Sequence, residues 1–351
     1  MTTDTPHLLP RDDARRQTEQ PGSFEWWYVD AHLSDGGTLV AAFYANGLPD
    51  GTMRYTARLQ VVDADGATHG GQFVTGPDDA DISDERPAVR IGKSRFEGDL
   101  DTYHVVVDEA QLGGVGVDLT IRRTCPSRVT PANPQSIVDG EHTFGWVCPV
   151  PRGDLTGSVT YGGRTAQVTG DAYHDHNWGT TTMGATLHHW VWSRATIGPY
   201  TAVVSTVYPT QAYAHGHADG IQLCFVTSGE EVLLNVEGFD AAKMTADSAP
   251  NPDPRNPAAY YAPIVAFEST ENGRQVRVQL TCGPLLDSRD LATQSQHLHG
   301  EELRRAEAMV HRPWYTRFAI TSATLETTEN GHTSTHSGKG IIEFMDFHLN
   351  P

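Results

Sequence analysis

The sequence predicts an all-β protein of sandwich or barrel architecture, arranged as two consecutive domains with little helix. The chain has 351 residues, more than the ~100–200 residues of one ordinary domain. Its 34 glycines and 21 prolines separate short, β-rich runs. Helical periodicity is nearly absent. Many short strands joined by regular turns are typical of β-sandwiches and β-barrels.

The strands are predicted from alternation of apolar and polar residues, which places one face of a strand in a core. This alternation is clear over residues 55–62, 103–107, 200–208 and 320–327. Tight turns are predicted at Asp35-Gly36-Gly37, Asp65-Gly66, Gly162-Gly163, Asn272-Gly273 and Asn330-Gly331.

Helical spacing is confined to two segments. The first, over residues 300–310, predicts one helix, and the second, over residues 240–247, predicts a shorter one.

A break at residues 180–187 divides the strands into two similar halves. We therefore expect one domain over 21–183 and a second over 184–351. Residues 1–20 are polar and are predicted to form a flexible tail. The segment 248–257, rich in proline, asparagine and aspartate, predicts a long loop.

The charge of the chain argues against several kinds of partner. Lys and Arg number 25 against 44 Asp and Glu, which gives a formal net charge of −19. Such a surface repels phosphate backbones and anionic lipid, so no nucleic-acid binding is expected. No apolar run approaches the ~18 residues of a membrane span, so no stable membrane insertion is expected.

The cysteines and the N-terminus bear on the cellular compartment. Four cysteines lie far apart without a CxxC pair, which disfavours a disulfide framework and a zinc knuckle. The first residues lack the apolar stretch of a signal peptide. We expect a reduced, cytoplasmic protein.

The segment Asp171-Ala-Tyr-His-Asp-His-Asn-Trp-Gly179 holds the densest set of polar side chains. Alternate side chains of a strand share a face, so His174 and His176 are expected on the face opposite Asp175. An acid flanked by imidazoles suits proton transfer. The structural alternative is a hydrogen-bonded polar network at a domain junction. The predicted catalytic residues are Tyr173, His174, Asp175, His176 and Asn177.

A metal site is the weaker interpretation of the histidines. His174 and His176, with His188 and His189, offer imidazoles that suit zinc, copper or nickel. However, 17 histidines are spread along the chain, and the same spacing recurs at 215–217 and 297–299. There is also no GxxxxGK[ST] loop and no strand–GxGxxG–helix unit. No metal and no cofactor is predicted.

Tryptophans suggest an apolar binding pocket. Adjacent Trp26 and Trp27 put one ring on each face of a strand, and Trp190 and Trp192 alternate onto one face with Arg194. Aromatic walls suit a long apolar ligand or a developing carbocation. Arg194 paired with Glu25 or Asp175 would instead be structural. The predicted substrate-binding residues are Glu25, Trp27, Trp146, Trp178, Trp190, Trp192 and Arg194.

Three segments together resemble the carotenoid 1,2-hydratase (hydroxyneurosporene synthase) family of lipocalin-like proteins. They are Glu25-Trp26-Trp27-Tyr28, Tyr173-His-Asp-His-Asn-Trp-Gly179 and Gly338-Lys-Gly-Ile-Ile-Glu343. The resemblance implies two consecutive lipocalin-like β-barrel or sandwich domains and a ligand cavity reached by the central motif. It also implies apolar polyene substrates. Some members add water to a terminal alkene, and relatives in natural-product pathways catalyse cyclisations, including Diels–Alder-type ring closures.

Of the two reactions, hydration requires more from the catalytic groups than cyclisation does. An isolated alkene needs a strong proton donor, and a carboxyl kept neutral by an apolar pocket can supply that proton. Asp175 is the candidate acid, with His174 or His176 as orienting group or base. Trp146, Trp178 and Trp190 are candidate cavity walls.

Cyclisation demands mainly positioning of a folded polyene. One hydrogen-bond donor to a substrate carbonyl, from Tyr173, Asn177 or His176, would add electrostatic activation. We therefore expect a cofactor-independent cyclase, pericyclase or Diels–Alderase-like, acting on a hydrophobic polyene or polyketide intermediate of natural-product biosynthesis. The alternatives are a lyase-type hydratase of an isoprenoid or carotenoid-like alkene, and a non-catalytic lipocalin-like carrier.

Overall fold

The computed structural model describes residues 7–16, 19–129, 135–138, 142–210, 221–293, 300–309 and 311–349. The chain divides into two compact units, Met1–Thr182 and Met183–Pro351. Each unit is built on one nearly closed, barrel-like antiparallel sheet, which confirms the all-β prediction. Among the described residues, no helix combines the length and apolar character needed to cross a membrane.

The sheet of the first unit has twelve strands. In space they follow the order β4-β3-β2-β1-β12-β11-β9-β8-β7-β6-β5, with β10 paired to β11. The strands are β1 (Phe24–Leu33), β2 (Thr38–Gly47), β3 (Met53–Val62), β4 (Thr68–Thr75), β5 (Ala80–Ile82), β6 (Ala88–Ile91), β7 (Ser94–Gly98), β8 (Thr102–Val107), β9 (Gly116–Arg123), β10 (Gln135–Val138), β11 (Thr143–Tyr161) and β12 (Arg164–Gly179).

The second unit has a nine-stranded sheet in the order β16-β15-β14-β13-β23-β22-β21-β20-β17, and a separate two-stranded sheet of β18 and β19. Its elements are α1 (Met183–Thr186), β13 (Leu187–Ile197), β14 (Tyr200–Pro209), β15 (Ile221–Ser228), β16 (Glu231–Glu237), β17 (Ala242–Ala246), β18 (Asn251–Pro252), β19 (Tyr260–Tyr261), β20 (Ile264–Glu271), β21 (Arg274–Asp290), α2 (Gly300–Glu307), β22 (Arg312–Glu329) and β23 (His332–Leu349).

The two sheets share one plan, as expected from the similar halves of the sequence. In the first unit the last strand, β12, pairs with the first strand, β1, and with β11. In the second unit β23 pairs in the same way with β13 and β22. Two long strands, β11 and β12 or β22 and β23, therefore lie at the centre of each sheet.

Strand alternation gives each sheet two different faces. In the first unit the hydrophobic core lies on the face of β1 that carries Trp27, Val29 and Ala31. In the second unit it lies on the face of β13 that carries Val191 and Ala195. We call these the inner faces and the opposite ones the outer faces.

Two predicted hairpin turns are confirmed at the level of the backbone. Both residues of Asn272-Gly273 and of Asn330-Gly331 have positive φ. Each pair joins strands directly, between Glu271 and Arg274 and between Glu329 and His332. Asparagine followed by glycine tolerates this left-handed conformation, as a two-residue hairpin loop requires.

The helix predicted over residues 300–310 is confirmed as α2, but the one predicted over 240–247 is wrong. That segment contains β17, which pairs with β20 from Ala242 opposite Ser269 to Ala246 opposite Val265. Backbone pairing with a neighbouring strand outweighs the weak helical spacing of so short a segment. The loop predicted over 248–257 contains one short strand, β18.

The N-terminal residues also differ from the sequence expectation. The sequence places residues 1–20 in a flexible tail, whereas the structure buries Asp13 and Ala14 completely. The Arg15 amide donates to the carbonyl of Ser83, which fixes the segment beside β5. Its charged residues are held because they supply hydrogen bonds that buried groups of the first sheet need.

We expect Gly145→Ala to lower the free energy of unfolding by about 1–3 kcal/mol, because it would overpack a tight contact. The Trp178 ring covers this glycine, and an added Cβ would lie 2.1 Å from its Cε2 atom. Urea unfolding measures the change. The matched control is Gly76→Ala, since no heavy atom lies within 4 Å of a Cβ there. Equal urea midpoints for the two variants would contradict the expectation.

Candidate active site

The central motif lies on β12, between β1 and β11, and presents different groups on its two faces. On the inner face, His174 and His176 both lie against the carboxyl group of Asp13. On the outer face, Tyr173 and Asn177 donate to Asp175. The predicted alternation along this strand is therefore confirmed.

The Asp13 carboxylate is the centre of a fully buried polar network on the inner face. The Tyr103 hydroxyl donates to its Oδ2 atom at 2.7 Å. His174 Nε2 lies 3.1 Å from Oδ2, and His176 Nδ1 lies 3.4 Å from Oδ1. The Trp27 indole N–H donates to the Asp13 backbone carbonyl at 2.9 Å. Asp13 thus connects the N-terminal segment to β1, β8 and β12.

A second buried carboxylate lies on the other side of His176. His176 Nε2 is 2.8 Å from Glu25 Oε1, which also accepts the backbone N–H of Arg16 at 2.7 Å. The Trp27 ring stacks on the His176 imidazole, with ring centroids 4.5 Å apart. His176 is therefore held between two carboxylates and one aromatic face.

The hydrogen bonds of His174 fix where its protons lie. Its Nδ1 atom is 2.9 Å from the Tyr28 carbonyl oxygen, which can only accept, so Nδ1 carries a proton. Its Nε2 atom faces a carboxyl oxygen of Asp13, and one proton must lie between them.

The pKa shifts of Asp13 and His176 favour the charged form of both groups. Burial by itself would raise the pKa of Asp13, but the charges and hydrogen bonds of His174 and His176 outweigh burial and lower that pKa to about 2. Burial would likewise lower the pKa of His176, but the carboxylates of Asp13 and Glu25 raise it. Pairing the Asp13 carboxylate with the His176 imidazolium offsets the large cost of burying single charges.

The geometry gives His174 and His176 a structural position. Both are 0% exposed, and each ring nitrogen faces a protein oxygen. Trp27, Trp178 and Glu25, predicted to bind substrate, lie on the same inner face, and both tryptophan rings pack against His176. The sequence offered a hydrogen-bonded network as an alternative, but it could not show that the N-terminal segment covers the inner face.

Asp175 on the outer face accepts hydrogen bonds from at least three donors. The Tyr173 hydroxyl donates to Oδ2 at 2.8 Å, and the Trp146 indole N–H donates to the same atom at 2.9 Å. The Asn177 amide donates to Oδ1 at 3.0 Å. Asp175 and Asn177 are each 6% exposed, so the outer face retains some contact with solvent.

These donors stabilise the ionised form of a carboxylate. The sequence treats Asp175 as a neutral acid in an apolar pocket, whereas the structure surrounds it with N–H and O–H groups. Burial and the negative charge of Asp175 raise the pKa of Tyr173 and of Cys148 well above their usual values. The arrangement can hold a negative charge, accept a hydrogen bond or take up a proton.

Aromatic and cationic groups flank the carboxylate. The Arg128 guanidinium lies 5.4 Å from the centroid of the Trp146 ring. Tyr28 on β1 lies directly opposite Asp175 in the sheet and makes an edge contact with the Tyr173 ring at 6.4 Å. The outer face thus combines a fixed carboxylate with apolar ring surface.

The remaining predicted binding residues belong to the second unit. Trp190, Trp192 and Arg194 lie together on the outer face of β13, as the alternation predicts. Trp190 packs edge-on against Phe347 at 5.3 Å. Trp192 lies directly opposite Glu343 of β23.

Sequence reasoning missed a set of polar groups on this same outer face. The Tyr315 hydroxyl donates to Glu343 Oε1 at 2.5 Å. Arg317 lies opposite Glu343, and Asp287 lies opposite Arg317. The closing segment 338–343 held the one available signal, since it places Glu343 directly after Ile341 and Ile342.

Asp175 and Glu343 occupy equivalent positions in the two sheets. Asp175 lies opposite Tyr28 of β1, and Glu343 lies opposite Trp192 of β13. In each case an aromatic residue of the next strand donates to the carboxylate, namely Trp146 on β11 or Tyr315 on β22.

The histidine pairs do not assemble a metal centre in the described part of the chain. His188 and His189 approach each other, with their Nδ1 atoms 2.9 Å apart. No group of three or more His, Cys, Asp or Glu among the described residues is arranged to hold a metal ion. The predicted HxH pairs at 215–217 and 297–299 lie outside the described residues.

Sequence comparison identifies one family and one curated relative. The profile of the family described as carotenoid hydratase CrtC matches residues 56–237. The quinolone epoxide rearrangement protein penF of Penicillium thymicola is 29% identical over 103 residues. That match covers 29% of this chain and 28% of the relative, less than a third of its length.

Solved structures at low sequence identity share the fold. CghA crystallised with Sch210972 superimposes with a TM-score of 0.65 and 15% identity, covering 94% of this chain and 90% of that one. A putative AttH from Nitrosomonas europaea gives 0.63 and 15%, covering 99% of both chains. Kievitone hydratase from Nectria haematococca gives 0.59 and 13%, covering 99% and 95%.

We expect Asp13→Asn to lower the free energy of unfolding by about 3–5 kcal/mol, because it leaves two buried imidazoles without their shared carboxylate. Urea unfolding at pH 7 measures the loss. The control is Asp65→Asn, the same change at an exposed turn, which should have little effect. A loss below about 1 kcal/mol would show that Asp13 does not hold the network.

The same network should make stability depend on pH. The lowered pKa of Asp13 contributes stability that is present above its usual value of 3.8 and is lost as pH falls towards about 2. The contribution amounts to about 2 kcal/mol. The raised pKa of His176 contributes stability that is present below 6.5 and is lost as pH rises through its folded value.

We therefore expect the wild type and Asp13→Asn to differ less in their free energies of unfolding as pH falls from 3.8 to about 2. Urea unfolding at several pH values across this range measures the difference. If this difference in free energy did not change with pH, the lowered pKa of Asp13 would be contradicted.

Proposed function

Because the chain belongs to the carotenoid hydratase CrtC family, we propose that it is a cofactor-independent cyclase acting on a hydrophobic polyene or polyketide intermediate. The family and a relative named for a rearrangement make it an enzyme of isomerase, lyase or hydratase type acting on a hydrophobic small molecule. The observation that carries the choice of cyclisation is the donor-saturated carboxylate of Asp175. We also propose the cytoplasm as its location.

An ionised Asp175 carboxylate is more compatible with ring closure than with hydration. Adding water to an isolated alkene begins with transfer of a proton to carbon, whereas the donors from Tyr173, Trp146 and Asn177 favour the ionised form of Asp175. A pericyclic closure requires only that the flexible chain be held folded with its ends close. Positioning of this kind supplies up to about 7–11 kcal/mol in favourable cases.

The outer face of the first sheet offers groups for this positioning. The Trp146 and Tyr28 rings provide apolar surface for a polyene. The Asn177 amide donates one N–H to Asp175, which fixes its orientation, and its second N–H is assigned to a carbonyl oxygen of the substrate. Asp175 is thus the group that holds the donor in place.

Hydration is the alternative function, and the description of the family favours it. In that case Asp175 would have to carry a proton and transfer it to the alkene. A non-catalytic carrier is the third possibility.

Incubation of a linear polyene or polyketide in H₂¹⁸O, followed by mass spectrometry, separates the three. A product of unchanged mass and altered retention supports cyclisation. Gain of one labelled water overturns it in favour of hydration. Tight retention of the unchanged probe overturns it in favour of a carrier.

We expect Asp175→Asn to slow ring closure about tenfold without abolishing it, because the donor is displaced while the pocket remains. Initial rates, with urea midpoints to confirm folding, measure the effect. Asp171→Asn is the matched control, since Asp171 lies on the same strand and face and faces His32 at 3.6 Å. Loss of all turnover would assign proton transfer to Asp175. Turnover at the wild-type rate would remove it from the reaction.

A further inference from the structure

The inner face of the second sheet carries a buried amide with one unpaired N–H group. Gln222 on β15 is 1% exposed, and it lies on the inner face because Cys224, two residues later on the strand, belongs to the core. The Thr206 hydroxyl donates to Gln222 Oε1 at 2.7 Å, which fixes the orientation of the amide. Gln222 Nε2 has no hydrogen-bond partner among the residues that the structure describes. Most buried polar groups in proteins are paired, so this N–H calls for an acceptor that the described residues do not supply.

Strand register identifies the matching place in the first unit. Phe344 and His176 are the residues that directly follow the equivalent carboxylates of the two sheets. Phe344 lies opposite Val191 of β13, and His176 lies opposite Trp27 of β1. Val191 therefore occupies in the second unit the place that Trp27 occupies in the first.

The side chains around this place are smaller in the second unit. Trp27 is fully buried and lies opposite Phe43 of β2, so two large rings fill the inner face there. Val191 instead lies opposite Thr206 of β14, and Thr206 in turn lies opposite Gln222. The volume that two rings fill in the first unit is therefore filled only in part by the side chains of these strands in the second.

A second unpaired donor lies at the same end of the sheet. Trp314 on β22 lies opposite Asp346, which is two residues beyond Phe344 on β23 and therefore on the same face. Gly145 and Trp178 hold the matching positions in the first unit, so one indole ring is kept here. The Nε1 atom of Trp314 is buried and has no partner within the described part of the chain. Two N–H donors on this face thus lack an acceptor from the described residues.

Partly buried aromatic rings surround this end of the inner face. Tyr208 on β14 stacks on His189 of β13, with ring centroids 4.3 Å apart, and Phe239 lies 5.8 Å from the Tyr208 ring. The Tyr261 ring lies 5.8 Å from that of Phe344. Each of these five side chains keeps some contact with solvent. They supply apolar ring surface at an edge that a ligand can reach.

The charges at this end favour an uncharged ligand. Burial and the neighbouring charge of His188 lower the pKa of His189, so its imidazole is neutral at pH 7. The Arg312 guanidinium at the start of β22 is already paired with Asp290, at 2.9 Å. Because one of these cationic groups is neutral and the other is paired, the two N–H donors suit a carbonyl oxygen better than a carboxylate, whose burial requires a paired charge.

We propose that this part of the second sheet binds a flat apolar group that carries a carbonyl oxygen, and we call it the Gln222 site. Gln222 Nε2 donates to that oxygen, and the flat group lies over Val191, in the place that the Trp27 ring takes in the first unit. Trp314 Nε1 serves a second oxygen where the ligand has one. The site is additional to the outer face of the first sheet and does not depend on the proposed cyclisation.

Two probes of nearly the same shape test the hydrogen bond at the Gln222 site. The ketone 2-acetylnaphthalene has a bicyclic ring similar in size to indole, and 2-isopropenylnaphthalene carries a CH₂ group in place of its carbonyl oxygen. Isothermal titration calorimetry with the full chain measures the affinity for each probe. We expect the ketone to bind about fivefold more tightly, because only the ketone can accept the Gln222 N–H.

Gln222→Met should remove this preference, because it deletes the donor and keeps a side chain of similar length. The affinity for 2-isopropenylnaphthalene should be unchanged. Gln275→Met is the matched control, since Gln275 is an exposed residue of β21 in the same sheet. That control should keep the preference of the wild type.

Val191→Trp tests the space at the site without changing the amide, because it supplies an indole ring where the first unit has one. This variant should keep the urea midpoint of the wild type and lose the preference for the ketone. Val278→Trp is its control, since Val278 is fully buried in the same core, and it should lower the midpoint.

Equal affinity for the two probes, or failure of both to bind, would overturn the proposed site. A preference that survives Gln222→Met or Val191→Trp would also overturn it. So would equal losses of urea midpoint in Val191→Trp and Val278→Trp, since they would show that the space is already filled. None of these outcomes bears on the cyclisation proposal, which the mass of the product tests separately.

Discussion

The contact between the Asp13 carboxylate and the imidazoles of His174 and His176 is the interaction on which the first unit depends. A strand that carries several polar side chains in succession cannot be buried unless each of them finds a partner. Asp13, supplied by a segment outside the sheet, provides these partners on the inner face of β12. Because Asp13 holds the inner face of β12, the same strand is fixed in place where it carries Asp175 on its outer face.

The second unit solves the same problem with a different segment. Asp253 is buried and accepts hydrogen bonds from Ser288 at 2.8 Å and Thr316 at 2.5 Å. Both hydroxyl residues lie on the inner face, next in sequence to Arg289 and Arg317 of the outer face. Tyr261 of the same segment packs on Phe318 at 4.4 Å. In each unit a buried aspartate from outside the large sheet therefore bonds to the inner face of long strands, β12 in the first unit and β21 and β22 in the second.

The burial of the inner face in the first unit changes which face of the sheet is expected to contact a ligand. A lipocalin-like architecture suggests a ligand inside the barrel, but in the first unit Trp27, Trp178 and the inner network fill the inner face. In that unit Asp175 and Asn177 on the outer face retain 6% exposure each, whereas Asp13, His174 and His176 retain none. Neutral donors surround Asp175, whereas guanidinium groups accompany Glu343, so a common sheet supports two chemically different surfaces.

The sequence by itself determined the strands, their faces and the separation of His174 and His176 from Asp175, because a period of two residues is a local property of the chain. It also determined the family, through short motifs. Only the tertiary structure decided the partners of those faces. Asp13 reaches His174 across 161 residues and Trp146 reaches Asp175 across 29. Register between distant strands sets such contacts. The alternation of residues could therefore show which side chains share a face, but not which groups they meet.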